Sequence, residues 1–107
     1  MADIELLDEI VDWLGTLNSQ DYVRVVVLID RLADVGSRAR MPFSRSLGGG
    51  LFEMRFSLGS NAQRITYRFA KGNRIVLLTT FHKQRMNERT EIERARRVAA
   101  ADLGESL

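Results

Sequence analysis

Regularly spaced arginines in the middle of the chain are the residues best suited to chemistry. Arg55, Arg64 and Arg68 each alternate with large apolar side chains, and this two-residue period is typical of a strand with one buried face. We therefore expect the three guanidinium groups to meet on the opposite face of a sheet. His82 and Lys83 close the next apolar segment, so we expect them beside the arginines. Cationic donors that converge in this way suit a phosphate group.

Glu53 offers a simpler explanation for the same pattern. It shares the predicted polar face with Arg55, and it could pair with arginines across strands in a ladder that only stabilises the sheet. One carboxylate cannot neutralise three guanidinium groups, and the remaining like charges would repel each other. The composition of this face therefore favours a site for an anion.

Charged residues are distributed unevenly along the chain. Residues 1–37 carry eight acidic and two basic residues, a net charge of −6, whereas residues 38–97 carry fourteen basic and four acidic residues, a net charge of +10. Most of the bases are arginine, which binds phosphate in bidentate geometry and stacks on nucleobases. The pattern indicates a polyanionic partner, and the alternative is that the opposite charges only solvate different faces.

Length and composition exclude several classes of protein. The 107 residues fit one domain, 1–107, and the lack of cysteine excludes disulfides and thiolate sites. His82 is the only histidine, which excludes a metal site built from two or three of them, and we expect neither a metal nor a small-molecule cofactor. No apolar run is long enough to span a membrane and the first residues are acidic, so we expect a cytoplasmic protein without a membrane partner.

The hydrophobic periodicity predicts helices in the first third of the chain. Residues 4–17 predict a short extended piece followed by a helix. Residues 20–35 predict a second helix, with Asn18 or Ser19 as its N-cap and Gly36 at its end. Together these two helices would form a hairpin.

Strands follow, and the chain closes with a helix. The predicted strands cover residues 43–47, 51–57, 63–70 and 74–83, and the last of them should be covered on both faces. The final helix should begin at Asn87 or Thr90 and end near Leu103. The expected fold is α+β, with the helical hairpin packed on a twisted antiparallel sheet.

Four short motifs occur in order between residues 50 and 95, within a region of resemblance that covers about residues 8–101. They are GLFEMR at 50–55, QRITY at 63–67, FHK at 81–83 and EIERA at 91–95. Together they resemble the RelE/HigB-like toxins of bacterial type II toxin–antitoxin systems, in particular the phage-derived branch of the RelE/ParE superfamily. The resemblance implies a RelE/ParE-like fold, with two N-terminal helices on one face of the sheet.

The resemblance also implies an activity and partners. Such toxins are endoribonucleases, or mRNA interferases, that usually cleave messenger RNA on the translating ribosome and so inhibit translation. A cognate helix-turn-helix antitoxin of the HigA-like type would restrain this one. Arg64 matches the family's catalytic arginine, and Arg55 and Lys83 match the basic positions that accompany it. Gln63 departs from the pattern, in which an aromatic residue usually precedes the arginine.

Cleavage of RNA without a metal requires three functions. A base removes the proton of the ribose 2′-hydroxyl, cations stabilise the charge that builds up on the phosphate, and an acid protonates the leaving 5′ oxygen. Arginine stays protonated, which assigns Arg64 and Arg55 to the phosphate. His82 or Lys83 is expected to transfer the proton, and Glu53 is an alternative base.

Other arginines are expected on the surface. Six of them would form a sequence-independent contact area for RNA, namely Arg38, Arg40, Arg45, Arg68, Arg85 and Arg89. The last helix should expose three more, Arg94, Arg96 and Arg97. Tyr67 is expected to point into the core.

Two other functions remain open at this point. The same fold could belong to a ParE-like inhibitor of DNA gyrase, or the chain could be a non-catalytic basic module that binds RNA. A gyrase inhibitor needs no convergent phosphate site, so the predicted arginine face favours the ribonuclease.

Overall fold

The order of helices and strands follows the sequence periodicity closely. The computed structural model describes residues 1–105. The elements are β1 (Asp3–Leu6), α1 (Asp8–Leu14), α2 (Ser19–Val35), β2 (Ser44–Gly48), β3 (Leu51–Leu58), β4 (Asn61–Ala70), β5 (Arg74–His82) and α3 (Glu88–Glu105), with a 3-10 turn at Gly36–Arg38.

Five strands form one sheet in the order β1-β5-β4-β3-β2. Strands β2 to β5 are antiparallel neighbours, which confirms the predicted meander. The short extended piece at the N-terminus is β1, and it pairs in parallel with β5. Strand β5 is therefore an inner strand. Its residues 75–79 are buried, as its continuous apolar sequence predicts.

Helices α1 and α2 cover one face of the sheet. Ile10 of α1 and Leu32 of α2 are fully buried against apolar residues of β3, β4 and β5, among them Met54, Ile65 and Leu77. The Asn18 side chain accepts a hydrogen bond from the backbone N–H of Asp21 at 2.8 Å, which caps α2. The predicted helical hairpin on the apolar face of the sheet is confirmed.

Helix α3 covers part of the other face of the sheet. Ala95 is fully buried there against Leu51, Val76 and Leu78. Arg96 and Arg97 are exposed, as predicted, but the same prediction is wrong for Arg94, which is partly buried. Arg94 forms ion pairs with Glu9 of α1 and Glu91 of α3. Arg96 donates hydrogen bonds to the carbonyl oxygens of Leu47 and Gly48 in β2.

The helices are too short or too polar to cross a bilayer, a finding that holds for residues 1–105.

Candidate functional site

Two arginines meet on the face of the sheet that α3 partly covers. Arg55 of β3 lies directly opposite Arg64 of β4, and Glu53 lies opposite Thr66 on the same pair of strands. These side chains share a face because directly opposed residues of antiparallel strands point the same way. The alternating apolar residues of both strands face the hairpin instead. The predicted convergence of Arg55 and Arg64 is therefore present.

Glu53 lies at the centre of this group and is fully buried. Its Oε2 atom is 3.7 Å from Arg55 Nε, 3.8 Å from Arg64 Nε and 4.0 Å from Arg45 Nη1. We call Arg45, Arg55 and Arg64 around Glu53 the arginine cluster. Within residues 1–105, neither carboxylate oxygen of Glu53 accepts a hydrogen bond, and the Nε atoms of Arg55 and Arg64 donate none. The cluster thus retains buried hydrogen-bonding capacity that the protein itself does not use.

Burial dominates the electrostatics of the arginine cluster. It raises the pKa of Glu53 above the usual carboxyl range, although the positive charges of Arg64, Arg45 and Arg55 act in the opposite direction. Burial also lowers the pKa of Arg64, and the charge of Arg55 lowers it further. The guanidinium group nevertheless stays protonated at neutral pH. A bound anion would offset the penalty on Arg64, because it adds negative charge next to the guanidinium group.

Solvent reaches the three arginines to different degrees. The exposed fraction of the side chain is 48% for Arg45, 24% for Arg55 and 7% for Arg64. Arg45 also lies 3.4 Å from Glu88 of α3, an acidic partner that sequence reasoning missed because nothing in the sequence relates the two elements. An anion that enters from solvent would meet Arg45 and Arg55 before Arg64.

The structure separates His82 from the arginine cluster, contrary to the prediction. Residue His82 is paired with Gln63, whereas Arg64 is paired with Phe81, so the His82 side chain belongs to the opposite face of the sheet. Lys83 extends the ladder by donating its backbone N–H to Ala62 at 2.8 Å, and this register puts it on the Arg64 face. Lys83 is partly buried and His82 is exposed.

Arg68 has a structural role in place of the predicted contact with RNA. It forms an ion pair with Asp102 of α3, and only 11% of its side chain is exposed. The prediction failed because the sequence alone does not show that α3 packs over this part of β4. Tyr67, by contrast, lies in the core as predicted, with 1% of its surface exposed and its hydroxyl bonded to Ser44.

The other arginines proposed to contact RNA are at the surface. Arg38 donates to the carbonyl oxygens of Asp34 and Val35, and Arg40 donates to those of Ser37 and Ala39. These bonds satisfy carbonyl groups at the end of α2 and in the following turn, and both side chains remain exposed. Two more arginines, Arg85 and Arg89, are exposed around the start of α3. No group of three or more acidic or histidine side chains in residues 1–105 is arranged to hold a metal ion.

Solved structures of RelE toxins have the same fold. A chain of the RelBE2 toxin–antitoxin complex of Mycobacterium tuberculosis matches with a TM-score of 0.60 at 18% identity, over 77% of this chain and 98% of that one. The isolated E. coli RelE toxin matches with a TM-score of 0.60 at 10% identity, over 88% and 97% of the two chains. An archaeal RelE–RelB complex from Pyrococcus horikoshii matches with a TM-score of 0.58 at 23% identity, over 78% and 97%.

These matches confirm the expected RelE-like α+β fold. Comparison with curated proteins finds no match. The model of the family described as phage-derived Gp49-like proteins matches residues 12–100, which is most of the chain. The chain belongs to the phage-derived Gp49-like family.

Proposed function

We propose that this protein is the toxin of a type II toxin–antitoxin system and acts as an endoribonuclease on messenger RNA. The observation that carries the proposal is the opposed pair Arg55 and Arg64 around the buried Glu53. Like charges placed directly opposite each other destabilise a sheet, so a purely structural surface gains nothing from them. A phosphodiester that binds between the arginines would form charge-assisted hydrogen bonds with both and would offset their repulsion.

In the proposed reaction, Arg64 and Arg55 hold the scissile phosphate. The ribose 2′ oxygen attacks phosphorus, the bond to the 5′ oxygen breaks, and the products are a 2′,3′-cyclic phosphate and a 5′-hydroxyl end. The pentavalent transition state carries an additional negative charge, and fixed guanidinium groups stabilise it more than the ground state. Arg64 would contribute most, because its buried position strengthens electrostatic interactions.

Proton transfer is assigned to Lys83 rather than to His82. The strand register supports this choice because Lys83 belongs to the face of Arg64. Glu53 is fully buried behind the arginines, so we assign it a positioning role rather than that of the base. Its carboxylate draws the Nε side of Arg55 and Arg64 inward. Arg64 Nη1 donates to the Gln63 carbonyl oxygen. Arg55 Nη1 donates to the Met41 sulfur, so Nη2 of each arginine is the atom assigned to the substrate.

The proposal includes cleavage on the translating ribosome, which would inhibit translation, and restraint by a HigA-like antitoxin. Two of the matched structures named above are toxin–antitoxin complexes, which supports an antitoxin partner. The exposed Arg38, Arg40, Arg85 and Arg89 would add sequence-independent contacts with messenger or ribosomal RNA. The reaction needs no metal, in keeping with a sequence that has one histidine and no cysteine.

The test is to express the natural chain, Arg64→Ala and a matched control, Arg97→Ala, in a bacterial host and to map new 5′ ends of messenger RNA. We expect cuts confined to translated regions for the natural chain and for Arg97→Ala, and none for Arg64→Ala. Growth arrest with intact transcripts would contradict the proposal and would favour an inhibitor of DNA gyrase. Salt-sensitive RNA binding without growth arrest would identify a non-catalytic RNA-binding module.

A further inference from the structure

A second group of arginines lines a cleft on the other side of β3. The cleft has a volume of about 280 Å³, and Arg24, Arg31, Arg40 and Arg55 surround a floor that includes Phe43 and Phe56. None of the residues that line it is acidic. We call it the arginine cleft. Arg24 and Arg31 belong to the otherwise acidic first third of the chain, so the composition of that segment does not indicate a basic site.

Three of these arginines lack a counter-charge. In the part of the chain that the structure describes, no carboxylate lies within ion-pair distance of Arg24, Arg31 or Arg40, as the ion pairs found there all involve other bases. The guanidinium groups that line the cleft are therefore positive charges that a bound anion could neutralise.

Neutral groups hold the same three arginines in place. Arg24 Nε donates to the Ser57 carbonyl oxygen at 3.0 Å. Arg31 lies over the Phe43 ring, with its guanidinium carbon 4.4 Å from the ring centroid. Arg40 Nη1 donates to backbone oxygens of its own turn. Each contact holds the side chain without neutralising its charge, which lowers the entropy cost of binding a ligand.

Arg55 connects the arginine cleft to the arginine cluster. It lines the cleft, and its Nε atom lies 3.7 Å from Glu53 in the cluster. The two sites face opposite sides of β3, because Glu53 shares the α3 face and Phe56 packs with the hairpin core. A ligand that occupies both sites must therefore bend around the Arg55 side chain.

We propose that the arginine cleft binds a backbone phosphate and its ribose from single-stranded RNA, at a nucleotide next to the one that the arginine cluster holds. This proposal rests on RNA being the substrate, as proposed above. A single strand can bend around one side chain, whereas an A-form duplex is too wide and stiff to do so. The four guanidinium groups suit the phosphate, and the apolar floor suits the sugar or base.

The experiment measures RNA binding in an Arg64→Ala background, which prevents cleavage. The cleft variant is Arg24→Gln/Arg31→Gln, because glutamine keeps a donor and part of the aliphatic stem. The control is Lys71→Gln/Arg97→Gln, which removes the same charge from exposed residues outside both sites. Fluorescence anisotropy follows a short labelled single-stranded RNA, a duplex of the same sequence and labelled poly-glutamate over a range of salt concentrations. Circular dichroism checks that each protein is folded.

We expect the cleft variant to bind the single strand at least about tenfold more weakly than its parent. The slope of log K against log salt should decrease in magnitude by about 0.7, because the contact with one phosphate is lost. The control pair should leave the slope unchanged, and restoring charge with Arg24→Lys/Arg31→Lys should recover much of the binding.

Three results would overturn the arginine cleft as an RNA site. They are an equal loss of binding in the cleft and control variants, duplex binding as tight as that of the single strand, and an equal loss for poly-glutamate. The last result would point to an acidic protein as the occupant. A parent protein that binds no RNA would overturn the proposal as well. The proposed function fails by a separate readout, namely messenger RNA that stays intact in cells expressing the natural chain.

Discussion

Arg55 Nε and Arg64 Nε lie 3.7 and 3.8 Å from the same carboxylate oxygen, Oε2 of Glu53, and the two arginines are direct cross-strand neighbours. No hydrogen bond in residues 1–105 compensates the burial of that carboxylate. Such an arrangement costs folding free energy, because buried charges lose their hydration and the like charges repel each other. The same arginines would bind an anion favourably, and functional sites commonly reduce the stability of a protein in this way.

The first prediction concerns Glu53→Gln. Because burial raises the pKa of Glu53, the folded protein holds its proton at pH values where the unfolded chain has released it. Wild-type stability contributed by this group is therefore lost as the pH rises above the ordinary carboxyl value of 4.5. Glutamine resembles the protonated form, so we expect Glu53→Gln to raise the melting temperature at neutral pH. RNA cleavage should decrease in the same variant, since Arg55 and Arg64 lose the group that orients them.

Thermal unfolding from pH 4 to pH 8 checks this prediction, with Glu93→Gln at the exposed surface of α3 as the control. The difference in melting temperature between Glu53→Gln and wild type should grow with pH, whereas the control should show no such trend. A Glu53→Gln protein that is less stable than wild type at neutral pH would contradict the prediction. It would show that the attraction between Glu53 and the arginines exceeds the penalty for burying the carboxylate charge.

The second prediction separates the arginine cluster from the exposed arginines. Arg64→Ala and Arg55→Ala should each lower the rate of RNA cleavage by about 10²–10³, the usual effect of removing one preorganised charge donor. Arg64→Lys should fall between wild type and Arg64→Ala, because lysine keeps the charge but loses the planar fork. Primer extension on a translated messenger gives the rates, and Arg97→Ala is the control. Wild-type rates in all four variants would exclude a catalytic role for the cluster.

Much of the fold can be predicted from the sequence, because local patterns determine it. The helical hairpin follows from apolar spacing and from the caps Asn18 and Gly36, and β3 and β4 follow from strict alternation. The parallel pairing of β1 with β5 could not be predicted in this way. It joins Ile4 to Ile75, which are far apart along the chain, and neither segment has a local signal for its partner.

The site was predicted in part. Arg55 and Arg64 converge as expected because their strands alternate regularly. The prediction that His82 lies beside the arginines was wrong. Strand β5 is apolar along most of its length, so its sequence has no alternation from which the two faces can be assigned. The pairing of β5 with β4 is irregular between Thr66 and Tyr67, where the register shifts. No residue pattern in the sequence indicates where that shift occurs.

The third prediction follows from this register. Lys83→Met should lower the cleavage rate by about 10²–10⁴, the usual contribution of a proton-transferring group, because Lys83 belongs to the Arg64 face. His82→Asn should cleave at nearly the wild-type rate, because His82 belongs to the opposite face. The measurement is the rate of RNA cleavage as a function of pH. If His82→Asn loses activity and Lys83→Met keeps it, the prediction is wrong, and the substrate contacts the opposite face at the end of β5.

The fourth prediction concerns the contact that ties α3 to the rest of the protein. Arg94 donates two hydrogen bonds to the Glu9 carboxylate, at 2.6 and 3.0 Å, and one to the Thr80 carbonyl oxygen. Burial alone would raise the pKa of Glu9, but the hydrogen bonds from Arg94 and from the Thr80 backbone lower it below the usual range. The lowered pKa means that Glu9 stabilises the fold above the ordinary carboxyl value and that this contribution is lost as the pH falls.

Arg94→Met should therefore lower the free energy of unfolding by about 1–3 kcal/mol at neutral pH, and towards the lower value because solvent reaches both side chains. The loss should shrink as the pH falls below the ordinary carboxyl value of 4.5, because Glu9 then becomes protonated in the folded protein as well. Urea unfolding at pH 7 and pH 3 measures both quantities. Arg89→Met is the matched control, because Arg89 pairs with Glu93 on the surface and its side chain is 93% exposed. If Arg94→Met and Arg89→Met unfold at the same urea concentration at pH 7, the contact between Arg94 and Glu9 contributes nothing to holding α3 on the sheet.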